Sequence, residues 1–145
     1  MSVLKPSMLP WTVFGIITVF SIMYTNTVVF GQSQDISTTR TSDRSITYAQ
    51  TASKLLNQTQ MEYTRGNSTG AEELAIRAYL DNFEYVEAPL DQKGQHILKE
   101  NIENMMRNDL RTMIKDKAPA PQVSELIKKI DSNLVEAITI LNGTK

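Results

Sequence analysis

The sequence predicts an all-α protein: an up-down-up-down four-helix bundle preceded by an N-terminal signal or anchor helix. Three observations predict it. A charge-free apolar run fills the N-terminus. Four later segments repeat apolar residues at helical spacing between glycine, proline and asparagine stops. No stretch alternates apolar and polar residues for long enough to make a strand.

Residues 1–31 stand apart from the rest. Lys5 is the only charged side chain before Asp35, and the run from Trp11 to Gly31, WTVFGIITVFSIMYTNTVVFG, carries no charge. As a helix it spans roughly 30 Å, about one hydrocarbon thickness. A basic residue before it and acids after it fit an N-terminus on the inside. Val29-Phe30-Gly31 offers a cleavage site for a signal peptide, and the length of the run suits a retained transmembrane anchor through residues 11–31. Either outcome makes the remainder extracytoplasmic, membrane-anchored or secreted. Residues 32–43, QSQDISTTRTSD, lack an apolar period and read as a flexible linker. The bundle itself is expected over 44–143.

Its first helix is expected from about Asp43 to Arg65, with Tyr48, Ala49, Ala52, Leu55, Leu56 and Tyr63 on one side and Gly66-Asn67 as the stop. The second starts at Thr69, where Thr69 and Glu72 form a capping-box pattern, and ends near Ala88 ahead of Pro89. The third runs from about Asp91 to Lys117 on a stripe of Leu98, Ile102, Met105, Met106, Leu110, Met113 and Ile114. The fourth begins around Pro121, with Val123, Leu126, Ile127, Ile130, Leu134, Ala137, Ile138 and Leu141 on one face and Asn142-Gly143 as its end.

Composition narrows the chemistry. A formal net charge of −1 argues against nucleic acid, which demands a concentrated basic patch. With no cysteine there is no disulfide framework, thiolate metal site or cysteine nucleophile. The single histidine, His96, excludes a multi-histidine zinc site within one chain. No nucleophile–base constellation and no phosphate-cradling glycine loop is visible, so an enzyme is not expected.

The carboxylates are more informative. Each residue turns a helix by about 100°. On the second helix that places Glu87 inside the apolar arc, between Ile76 and Leu80, with Glu73 and Glu84 on its edge and Asp81 pointing away. Glu87 also lies near the negative end of its helix, so it needs a compensating cation or hydrogen bonds. On the third helix Asp109 falls within the arc between Leu98 and Ile102, while Glu103 and His96 share its edge. On the first, Glu62 borders the apolar face near Leu55. Acids converging between helices build oxygen-rich sites for hard cations such as iron, manganese or calcium. The alternative is an ion pair between Glu87 and Arg107 or Arg111, with Asp109 moved by a kink or change of register, His96 on the surface, and the methionines as core.

The stretch Tyr63-Thr64-Arg65-Gly66-Asn67, then Ala71, Ala78-Tyr79-Leu80-Asp81-Asn82-Phe83-Glu84 and Glu87, with Leu110-Arg111 on the next helix, resembles the extracytoplasmic helical region of the high-affinity iron permease family. The likeness spans about residues 45–141. It implies an extracytoplasmic helical module tied to metal uptake, with Glu84 and Glu87 as the residues carried over. The chain departs from the family at Asn67, where an aspartate is usual, and at Asn82. It has no Arg-Glu-x-x-Glu transmembrane motif and only one hydrophobic span, so it is not itself a permease.

Two functions are expected. One is a metal-binding accessory of uptake or sensing, with Glu84, Glu87 and Glu103 as ligands, Glu62, Asp109 or His96 as helpers, and a membrane permease or envelope protein as partner. The other is an envelope protein-interaction or structural bundle without metal.

Overall fold

The computed structural model describes residues 32–143, with side chains from Asp43 onward. The N-terminal signal or anchor segment expected over 1–31 lies outside the described residues. The chain divides into two compact units, Met1–Ile36 and Ser37–Lys145. The described residues of the second unit are all helical, without a strand, and form four rods.

The first rod is α1, Gln32–Thr64. It begins well before the expected Asp43, and the linker over 32–43 is helical. Neither glycine nor proline occurs between Gln32 and Arg65, and once a helix exists each further residue adds a hydrogen bond. The expected stop holds: Gly66 sits at φ +85°, a conformation that costs a residue with a Cβ.

The second rod comprises α2 (Ser68–Ala78), a π turn (Tyr79–Phe83) and α3 (Glu84–Gln92). Its cap differs from the expected Thr69. Asn67 takes that role, its side chain accepting from the Gly70 N–H at 3.0 Å. Glu72 instead faces the third rod, 3.4 Å from Lys115 and 3.9 Å from Arg111. Nor does Pro89 end the rod, because the buried Val86 and Leu90 on either side hold that turn in the core. The chain turns only at Gly94 (φ +72°), with the Gln95 N–H reaching back to the Leu90 carbonyl at 2.9 Å.

The third rod comprises α4 (His96–Asn104), a second π turn (Met105–Leu110) and α5 (Arg111–Lys115). The fourth is α6, Ala120–Leu141, with Pro121 in its first turn. Contacts of α2 with α5 and of α3 with α4 make the second and third rods antiparallel, and α6 packs against both.

The core explains this packing. Ala49 and Ala52 of α1 and Ala71, Ala75 and Ala78 of α2 are fully buried, and such small residues let helices approach closely. Phe83, Leu56, Leu90, Ile102, Met106, Leu110, Ile127, Ile130 and Leu134 fill the space between. Polar ties lock the outer rods: Tyr63 donates from its hydroxyl to the Ala118 carbonyl at 2.6 Å, and Ser53 of α1 bonds Asp131 of α6. Among the described residues, no helix is long and apolar enough to cross a membrane.

Candidate functional site between the second and third rods

Both π turns interrupt the segments that carry the acids. A turn closed i→i+5 spends one more residue on the same revolution, so a straight wheel misplaces side chains within and beside it, while Val86, Leu90 and Ile114 beyond the two turns stay buried. In the first such turn the buried Asn82 donates from its side-chain amide to the Arg77 carbonyl, five residues back, at 3.0 Å. Leu80, expected in the apolar arc, is 46% exposed. Glu84, expected at the rim, is exposed. In the second, Asp109, expected within the arc, is exposed as well, as a change of register requires.

Two of the expected acids do come together. Tyr79, itself buried, donates from its hydroxyl to Glu103 Oε1 at 3.3 Å across the two rods. The same carboxylate oxygen accepts from Arg107 Nη1 at 3.1 Å, one helical turn on. The Arg107 guanidinium carbon lies 6.0 Å from the centre of the Tyr79 ring, so cation, ring and carboxylate form one assembly. Glu87 approaches from α3. It is half-buried, and its Oε1 is buried without a hydrogen-bond partner.

The electrostatics reflect that arrangement. Burial pushes the Glu87 carboxyl above the ordinary glutamate range; the Glu103 and Glu84 charges push the same way, while the Tyr79 hydroxyl and Lys99 oppose them. Burial also raises the Tyr79 phenol, reinforced by Glu87 and Glu103 and partly offset by Arg107. A phenol has one proton to donate, and the hydrogen bond goes to Glu103. Glu87 is thereby left with the weaker claim on Tyr79 and one oxygen unpaired.

The remaining expected ligands have partners of their own. Glu62 takes Arg65 at 3.1 Å and Asn67 Nδ2 at 2.7 Å. His96 faces Asp91 through Nδ1 at 3.1 Å and Glu100 through Nε2 at 3.0 Å, on opposite sides of the ring, so no single ion takes all three. Lys99 holds the other Asp91 oxygen at 3.2 Å, and these contacts depress the Asp91 carboxyl, His96 contributing most. Among the described residues no three carboxylate or imidazole groups stand together as a metal site. Of the acids expected as ligands, Glu87 and Glu103 are the two that share a neighbour, Tyr79.

The arginines also differ from expectation. Arg107 serves Glu103 rather than Glu87. Arg111 lies nearest Glu72, and its buried Nε has no hydrogen-bond partner. Tyr79 was missed as a site residue. Its signal was present, since a phenol at the centre of an apolar arc needs a buried partner for its hydroxyl.

No family model, curated protein or solved structure matches the chain. The likeness to the iron permease module rests on spaced residues between Tyr63 and Arg111, and Glu84, one of the two carried over, faces solvent.

Proposed function

We propose that this chain is an extracytoplasmic, non-catalytic bundle of up-down-up-down helices that acts through protein contact, held to or released from a membrane by residues 1–31. The observation that carries this reading is the distribution of the acids. Glu103 is answered by Arg107 and Glu62 by Arg65 within a turn of their own rods, and Glu72 by Lys115 across to the third rod, so these acids are taken up by basic side chains of the bundle itself. Pairs this accessible contribute little stability each. Of these three, the pair of Glu72 with Lys115 crosses between rods and helps fix how the second faces the third, which supports a rigid scaffold.

A second reading has one specific observation behind it. Glu87 Oε1 is buried and unpaired beside Glu103, and a carboxylate so placed binds either a proton or a cation. On this reading the chain is a metal-binding accessory of uptake or sensing, and the pair is the core of its site.

Thermal unfolding of the full chain after chelation, then with ferrous, ferric, manganese or calcium ions, separates the two. A ligand that binds only the folded state adds about 2.7 kcal/mol at a hundred-fold excess over its dissociation constant. The scaffold reading expects no ion-specific shift. A shift for one ion that vanishes in Glu87→Gln replaces it with the metal reading.

A further inference from the structure

Three Asn-X-Ser/Thr sequons occur, at Asn57, Asn67 and Asn142, and the fold treats them differently. Asn57 lies in the middle of α1, where residues two apart point to different sides of the helix. Its own side chain is exposed and bonds the Ser53 carbonyl at 3.1 Å. Thr59, the hydroxyl residue of that sequon, is fully buried and donates to the Leu55 carbonyl at 2.9 Å. A transferase must hold both residues at once, and this helix presents one and hides the other. The Asn142 sequon ends at Thr144, outside the described residues.

Asn67 is placed otherwise. It sits in the turn between α1 and α2 with a non-helical backbone (φ −84°, ψ 72°), and both Asn67 and Thr69 are exposed. Its Oδ1 accepts from the Gly70 N–H at 3.0 Å, and its Nδ2 gives one hydrogen to Glu62 Oε2 at 2.7 Å. The second Nδ2 hydrogen is left over. Position 70 matters here, because a Cβ on Gly70 would stand 2.4 Å from that nitrogen. Glycine leaves the side-chain amide uncrowded.

We propose that Asn67 is an N-glycosylation site, its acceptor amide presented by the α1–α2 turn. The inference rests on the extracytoplasmic reading above. The donor is a saccharide carried on a polyprenol phosphate. Nδ2 attacks the anomeric carbon, and a C–N bond forms as the C–O bond to the phosphate breaks. The phosphate oxygen leaves with the bonding pair, and one Nδ2 proton passes to a base of the transferase. The product amide keeps its carbonyl and one N–H, so the cap on Gly70 and the bond to Glu62 survive modification.

Peptide mass spectrometry on the full chain, purified from fractionated cells that naturally make it, tests this. Trypsin releases Gly66–Arg77 and Leu55–Arg65 as separate peptides. The expected result is whole sugar residues on 66–77, localised to Asn67 by fragmentation, with 55–65 at its bare mass. Thr69→Ala destroys the sequon and leaves the Asn67 cap, so it should lose all the added mass while the helical circular dichroism stays. Unmodified 66–77 in chain recovered from the membrane or the medium overturns the proposal alone. Chain found only in the cytoplasm, unmodified, overturns the extracytoplasmic reading with it. Sugar on 55–65 instead, or added mass that persists in Thr69→Ala, also overturns it.

Discussion

The fourth helix and the pair of rods facing it were built by different rules. In α6, Val123, Ile127, Ile130, Leu134, Ala137 and Leu141 are all buried, and the spacing of three and four residues never slips. Across the bundle, the second and third rods each contain a π turn and bury Tyr79 and Asn82 among their apolar neighbours. A uniform helix buries one continuous apolar face and can be read as a wheel. A helix that widens by one residue changes which side chains face inward, and the polar groups it turns in must find partners across the interface.

The largest effects should come from the core, where the two regions ought to behave alike. Phe83→Ala, in the π turn, should cost about 3–5 kcal/mol, and Leu134→Ala in α6 about 2–5 kcal/mol, both read from urea unfolding. A much smaller cost at Phe83 would mean that the π turn is loosely packed, and would break the comparison.

Tyr79→Phe is expected to cost about 1 kcal/mol, since it removes the hydrogen bond to Glu103 and keeps the ring. A polar side chain of α6 that bonds only within its own helix should give a smaller loss from the same kind of deletion. Thermal unfolding of Tyr79→Phe and Ser132→Ala side by side checks this, because Ser132 is exposed and bonds only its own helix.

Glu87 sharpens the comparison through pH. Its carboxyl titrates above the ordinary glutamate value in the folded chain, so the folded state holds that proton more tightly than the unfolded one. The associated stability is full below the ordinary glutamate value and is lost as pH rises through the raised one. Glu87→Gln should remove this dependence: near wild type in acid, and more stable than wild type at neutral pH. Urea midpoints measured across the pH range for both chains decide it, and a Glu87→Gln curve parallel to wild type would refute the assignment.

The smallest effects are expected where the register slipped. Glu84→Gln and Asp109→Asn should each stay within about 0.5 kcal/mol of wild type, because both side chains are exposed. A loss of about 2 kcal/mol or more, on the order expected for a buried charge, would return either residue to the interior.

The sequence by itself determined that the bundle region is helical and where several of its rods stop. Gly66, the prolines at 119 and 121 and Asn142-Gly143 punctuate the chain, and local backbone chemistry suffices to read them. It determined the buried face of α6 for the same reason, since an unbroken helix has one period. It also placed Glu87 inside the apolar arc and Glu103 at its edge, and the fold brings both to Tyr79. Only the tertiary structure decided the rest. The cap moved from Thr69 to Asn67 and the end of the second rod from Ala88 to Gln92, because packing of Leu90 outweighed the break at Pro89. The π turns took Glu84 and Asp109 out to solvent. The choice of Lys115 for Glu72 and the meeting of Tyr79 with Glu103 came from how two antiparallel rods settle against each other. The physical reason is one of range: helix stops depend on a few neighbouring residues, whereas register and the partners that meet across rods depend on contacts with segments far away in the chain.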